Sequence, residues 1–286
     1  MKVLFISDFS IEQNSGGAQI SNDIMIKRGR EIGHEIDEYN YDSSPMTFLS
    51  NYDVIISSNL QHIMQTQQSA FVFDKIISHP KHIRYEHDSC HYLPEDIRKL
   101  LFSSSIINFF LSNFHISFFK QYYGDYFNNV HIVYDPIDVN LFNKNNLTQT
   151  KDILYCGFLH HLKGIDNLIS FANLYPERNI SIYGWAEDEN ITNRIQKIKN
   201  IDFKGKIPNK DLIQVYKDHK YIYHNPIVNE PFCRMVGEAC LCGLDFIGDE
   251  NKIGSVQEFK SKDYTSFSNL CNKSPDIFWK TIEENV

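Results

Sequence analysis

The chain reads as an α/β protein made of two doubly wound parallel sheets, and two observations lead there. Short apolar runs rich in strand formers recur with polar or helix-period segments between them. That is the pattern of parallel strands covered on both faces. The pattern pauses once, at the polar stretch NKNNLTQTK (143–151), and then restarts. The expected domains are therefore 1–143 and 152–273, with a last helix over 274–286 packing back across them. A cleft is expected where the carboxyl ends of the two sets of strands face each other.

In the first half, KVLFIS (2–7) is the first strand. The polar loop DFSIEQNSGG follows it, and then the periodic segment AQISNDIMIKRGREIG. Further strands are expected at 53–58, 82–86, 105–112 and 130–134. The aromatic stretch INFFLSNFHISFFKQYYGDYF (107–127) divides into a buried strand and a helix packed on the first domain, in preference to an acceptor-stacking or membrane-contact surface. The basic residues 27–30, Lys81, Arg84, Arg98 and Lys99 are expected at solvated helix ends, although clustered they would meet an anionic acceptor. In the second half, strands are expected at 152–158, 179–185, 201–205, 220–225 and 244–249. Helical segments such as 164–175, 191–200 and 209–218 lie between them.

Composition narrows the function. The formal net charge of −8 argues against a protein that coats nucleic acid or anionic lipid with its whole surface. No apolar run approaches a membrane span, and the start MKVLFISDF is too short and too acidic for a signal peptide. Six scattered cysteines without a C-x-x-C pair suggest reduced thiols in a cytoplasmic protein, not a disulfide framework or a zinc ribbon. The segment HPKHIRYEHDSCHYLPED gathers His79, His82, Glu86, His87, Asp88, Cys90 and His91. A strand over 82–86 would keep these ligand types from converging, so ordinary histidines are expected in place of a metal site. No G-x-G-x-x-G follows the first strand, which sets aside a nucleotide-sugar epimerase or oxidoreductase.

The stretch NEPFCRMVGEACLCG (229–243) carries two glutamates. Pro231 suits a first helical position, so a helix capped by Asn229 or Glu230 is expected to run to about Leu241. Its free amides at Phe232 and Cys233 would attract an anion. On such a helix Glu238 lies more than two turns beyond Glu230 and roughly 80° round from it, too far to share one metal or one proton. Gly237 would thin the helix for a ligand. Spacing alone favours a capped helix with one exposed and one salt-bridged glutamate.

The neighbours of these glutamates carry a resemblance. EPFCRMVGEACLCG is similar to the E-x7-E signature of the family-4 retaining glycosyltransferases, with Glu230, Pro231, Phe232, Arg234, Glu238, Ala239 and Gly243 in register. Where the family usually has glycine, this chain has Cys233. The segment SGGAQISNDIMIKRGREIGHEI resembles the family's amino-terminal segment, and DVNLF (138–142) the close of its first domain. DILYCGFLHHLKGIDNLISFA resembles the phosphate-binding segment, and FKGKIPNKDLIQVY the loop on which the nucleotide base rests.

The resemblance implies a GT-B fold, with two Rossmann-like domains. It implies Glu230 at the transferred sugar, Glu238 on the ribose hydroxyls, and donor contacts from Gly16, Gly17, Lys163, Lys206, Ile207, Phe232, Cys233 and Arg234. It also implies a histidine near the sugar, and His87, following a strand's carboxyl end, takes that place with Asp88 as its orienter. One departure stands out: Phe158 occupies the position of the family's phosphate-binding arginine. Either His160, Arg234 or another cation substitutes for it, or donor binding is weak.

The implied function is retaining, metal-independent transfer of a sugar from a nucleotide diphosphate sugar, UDP by family habit, to a glycan or glycolipid. No D-x-D occurs, and no cofactor or metal is expected. A phage-type transfer to hydroxylated bases in DNA is an alternative that the short second domain keeps open and the acidic charge opposes. A non-catalytic GT-B protein that binds nucleotide or glycan is the other, supported by Phe158 and opposed by the intact glutamates.

Overall fold

The computed structural model describes residues 1–89, 93–124 and 126–286. They form two compact units, one of 1–136 with 270–286 and one of 137–269.

In the first unit the chain alternates β1 (Lys2–Ile6), α1 (Gly17–Glu31), β2 (Glu35–Tyr39), β3 (Val54–Ser57), α2 (Ser69–Ser78), β4 (His82–Tyr85), α3 (Glu95–Ser104), β5 (Ser105–Phe110), α4 (Asn113–Tyr123) and β6 (Val130–Ile132). Among the described residues the sheet order is β2-β1-β3-β4-β5-β6, and all pairs are parallel. The inner strands β1, β3, β4 and β5 are buried along nearly their whole length: Val3, Leu4, Phe5 and Ile6 are fully enclosed, as are Val54 and Ile56. Such two-sided burial is why the runs read as continuous apolar stretches and not as alternating ones. The aromatic stretch divides into β5 and α4, with Phe102, Phe110, Phe119 and Phe127 sharing one core cluster.

In the second unit the order along the chain is β7 (Lys151–Phe158), α5 (Ile165–Leu174), β8 (Ile180–Trp185), α6 (Glu189–Gln196), β9 (Ile201–Gly205), α7 (Asn209–Asp218), β10 (His219–Tyr223), α8 (Arg234–Leu241), β11 (Asp245–Ile247) and α9 (Gly254–Ser261). The sheet order is β11-β10-β7-β8-β9, again parallel. Ile153, Tyr155, Leu168, Ile180 and Ile182 fill one side of this sheet, and Leu154, Tyr216, Ile222 and Ala239 fill the other.

The boundary between units falls within α10 (Tyr264–Asn272), and α11 (Ser274–Asn285) belongs to the first unit. Phe278 of α11 lies against Tyr85 and Phe109, at ring distances of 5.1 and 4.6 Å. Trp279 donates its indole N–H to the Met25 carbonyl at 2.7 Å. It occupies the space beside Gly29, where an added β-carbon would lie 2.3 Å from the indole. Gly29 is thus required by packing of α11 on α1. No helix among the described residues is long and apolar enough to cross a membrane.

Candidate functional site

The second unit gathers most of the expected site residues, but not as a helix beginning at Glu230. α8 starts at Arg234, and its cap is Cys233, whose backbone is left-handed (φ 68°). Glu230 instead forms a bridge with Ile253: its N–H donates to the Lys252 carbonyl at 2.8 Å, and its own carbonyl accepts from Gly254 at 3.0 Å. The expectation that both glutamates share one helix is therefore corrected. Pro231 precedes the helix, and backbone pairing to 252–254 fixes Glu230.

Glu230 is buried and its Oε1 takes two partners, Lys163 Nζ at 2.7 Å and His224 Nε2 at 3.2 Å. Burial pushes its carboxyl up, but the Lys163 charge and the His224 hydrogen bond and charge outweigh burial and hold it at about 2. Lys163 closes a 3-10 turn (His161–Lys163) after β7. The next residue, Gly164, is left-handed (φ 80°), and a β-carbon there would lie 1.9 Å from the Asn225 carbonyl. Only glycine lets this turn come down onto the chain leaving β10, which is what brings Lys163 to Glu230. His224 sits one residue beyond β10, where open α/β sheets place ligands. The sequence carried no signal for that placement, because the expected strand 220–225 ran past His224.

Glu238 lies on α8, buried, with Arg234 Nε at 2.9 Å on one oxygen and the Tyr216 hydroxyl at 3.2 Å on the other. Burial raises its carboxyl, against the lowering influence of Arg234 and Tyr216. Arg234 keeps a buried Nη1 with no hydrogen-bond partner among the described residues. Tyr216 had no signal in the sequence beyond its place on an amphipathic helix.

One assigned role is revised: Gly237 faces packed protein and not a ligand space, since a β-carbon there would lie 3.1 Å from Phe232 and 3.2 Å from Ile137. The Phe232 side chain is fully buried, its ring parallel to Phe267 at 6.1 Å. His160 caps the 3-10 turn through Nδ1 and stacks on Phe158. Lys206 and Ile207 follow β9, with Lys206 exposed and its ammonium 5.8 Å from the Trp185 ring. The ligand atoms of His224, Glu230 and Cys233 lie within 4.8 Å of one another, which is a set of metal-binding types. The Lys163 ammonium on Glu230 opposes a further cation there.

In the first unit, Gly16 caps α1 and Gly17 opens it. His87 is buried just past β4, its Nε2 3.1 Å from Asn22 Oδ1. The amide oxygen accepts, so Nε2 carries the proton and Nδ1 is left as an acceptor. Burial first, then the nearby His115 and Arg84, pulls the ring down to about 3, so it is neutral at ordinary pH. Asp88 does not orient it. Its carboxylate accepts from Asn59 at 2.9 Å, and burial followed by Glu86 raises it to about 6.

Beneath this lies a buried pair that the sequence reading did not single out. Arg84 Nη2 meets Glu86 Oε2 at 2.6 Å, while Glu86 Oε1 accepts the backbone N–H groups of His87 and Asp88 at 3.1 and 3.0 Å. The proposed basic cluster is likewise spoken for: Lys27, Arg28, Arg30 and Lys99 pair with Asp23, Glu31 and Asp276, Glu38 and Glu95. His79 and His82 bond to the Tyr52 carbonyl and to Ser57 and Ser104, so they do not converge on a metal. Cys90 and His91 lie outside the described residues.

Residues 138–259 match the model for glycosyl transferases group 1, a span lying within the second unit. That segment is similar to the group 1 glycosyl transferases. No curated protein matches the sequence. Similar solved structures include Anabaena Alr3699/HepE in complex with UDP and glucose, 15% identical, covering 100% of this chain and 95% of that one at a TM-score of 0.67. AviGT4, a glycosyltransferase involved in avilamycin A biosynthesis, is 12% identical over 99% and 97% of the two chains, with a TM-score of 0.67. Sucrose-phosphate synthase from Thermosynechococcus elongatus is 12% identical over 99% and 96%, at 0.71. These likenesses establish the GT-B fold. The matched segment holds the Lys163–Glu230–His224 and Arg234–Glu238–Tyr216 groups.

Proposed function

We propose that the chain is a retaining, metal-independent glycosyltransferase that moves a sugar from a UDP-sugar to a hydroxyl of a glycan or glycolipid. The observation that carries the reading is Glu230, a buried carboxylate held ionised by Lys163 and His224 inside a glycosyltransferase domain. As the anomeric carbon–oxygen bond breaks, its electron pair leaves with the diphosphate. Lys163 and the unpartnered Nη1 of Arg234 are the cations placed to stabilise that charge. Glu230 faces the sugar, whose anomeric carbon gains positive character. The acceptor oxygen bonds to that carbon and its proton departs on the released diphosphate. Glu238 accepts hydrogen bonds from the ribose hydroxyls, and His87 offers the uncharged hydrogen-bonding role of the first unit. Gly16 and Gly17 offer backbone amides at the start of α1, and Lys206 and Ile207 the base loop. The solved complex of HepE with UDP-glucose supports the choice of UDP.

The test is product release from UDP-sugars with chelator present, followed by the anomeric configuration of the product by NMR. Chelator-insensitive transfer with the configuration kept is expected. Inversion at the anomeric carbon, or dependence on added metal, overturns the reading. One observation favours a binding-only protein: Phe158 stacks with His160 and Trp185 where a phosphate-binding cation was expected. That reading requires Glu230→Ala to leave donor hydrolysis unchanged while Glu238→Ala abolishes nucleotide binding. The DNA alternative gains no support from the relatives named above.

A further inference from the structure

The strand ends of the glycosyltransferase domain carry an aromatic group that the mechanism above does not use. Phe158 ends β7 and Trp185 ends β8, opposite each other in the sheet register, with ring centres 4.5 Å apart. The cause is local: a β-carbon on Gly184 would lie 1.9 Å from the Gly157 carbonyl. The absence of one lets the strand ends close and sets the two following rings side by side. His160 stacks on Phe158 at 5.4 Å with ring planes 11° apart, so Phe158 is braced.

Trp185 nevertheless stays 43% exposed. The Lys206 ammonium completes the group 5.8 Å from the indole centre. A braced, half-exposed indole with a cation beside it suits a flat, carbonyl-bearing ring. Stacking would cover the indole face, and the ammonium would meet the carbonyl oxygens.

We propose that Trp185 stacks on the base of the donor nucleotide and that Phe158 is a positioning residue holding the indole in place. The arginine expected at residue 158 is on this view exchanged for a ring that serves the base, leaving the diphosphate to Lys163 and Arg234. The inference rests on the UDP-sugar reading. It adds the residue that recognises the base.

The chain's two tryptophans make the test direct. Trp279 is fully buried in the first unit, so a ligand-induced change in emission reports Trp185. UDP should quench wild-type fluorescence saturably, with the midpoint equal to the calorimetric Kd. Trp185→Ala should weaken UDP binding roughly five- to hundredfold, the range of base–aromatic stacking, and leave inorganic pyrophosphate binding unchanged. Trp185→Phe should keep most of the affinity yet lose the quench, a rescue that a purely structural role would not produce. Phe158→Ala should reduce both quench and affinity, by less than Trp185→Ala does. UDP binding by calorimetry with neither a quench nor a loss in Trp185→Ala overturns the stacking assignment and leaves the donor reading standing. No calorimetric binding of any nucleotide or nucleotide sugar overturns both.

Discussion

Each unit buries a carboxylate beside a cation, and the two do it differently. In the first, Glu86 is saturated: Arg84 takes one oxygen and two backbone amides take the other. In the second, polar atoms go unanswered around the carboxylates, namely the donor Nη1 of Arg234 and the ring nitrogen Nδ1 of His224, both buried without a partner among the described residues. A closed network holds a loop in place, whereas an open one has capacity for a ligand, because an unmet buried donor is costly until something accepts from it. The first arrangement therefore points to architecture and the second to chemistry.

The sharpest way to break this contrast is Arg84→Ala. Removing one partner of a buried pair strands the other charge, and a stability loss of roughly 3–5 kcal/mol is expected in denaturant unfolding. A change under 1 kcal/mol would show that Glu86 finds other compensation. Glu230→Gln comes next, with the opposite signature: transfer should fall roughly 10²- to 10³-fold, as when one electrostatic contact to a transition state is removed. Its melting temperature should fall at neutral pH but by less than that of Arg84→Ala, since the depressed Glu230 carboxylate stabilises the fold while the partly exposed Lys163 can rehydrate. Equal losses of stability and rate would place Glu230 with Glu86. Glu238→Gln should weaken UDP binding by roughly ten- to hundredfold, the worth of hydrogen bonds to a charged group, with a smaller effect on turnover of bound donor.

The smallest effect is in pH. Glu230 has a folded value of about 2, below its ordinary 4.5. Its stabilisation is full above 4.5 and is lost as pH falls from there through 2. Asp88, raised to about 6 from 3.8, behaves oppositely. The unfolded chain ionises first, so a destabilisation appears as pH rises from 3.8 and is complete above 6. In melting curves Glu230→Gln should flatten the wild-type profile mainly below about pH 4 and Asp88→Asn mainly above it, with the two effects overlapping near pH 4. Flattening by both variants on the same side of about pH 4 would contradict the assignment.

How far the sequence discloses all this varies with the physics. Strands such as 2–6 and 153–156 are legible because burial on both faces writes itself as an unbroken apolar run. Lys163 and Glu230 came with a family resemblance, yet their meeting depends on Gly164 against the Asn225 carbonyl, a contact 61 residues apart in sequence that no local pattern records. Pro231 misled the placement of α8 because proline is equally at home in the turn before a helix as at its first position. The strand-end rule pointed to His87 but not to His224, because the expected strand 220–225 ran past the true end at Tyr223. The Arg84–Glu86 pair lies hidden because charges two residues apart at a strand end look the same whether they face water or each other.

The path of the chain sets an order of events. Residues 1–136 leave the ribosome first, but the groove beside Gly29 and the rings of Tyr85 and Phe109 wait for Phe278 and Trp279. Synthesis proceeds at roughly 5–20 residues per second, so the earliest segment stays unsealed for several seconds while the continuous second unit is made and folds. During that interval the nascent sheet exposes an apolar seam, and it is the part of the newborn protein that a chaperone would have most reason to hold.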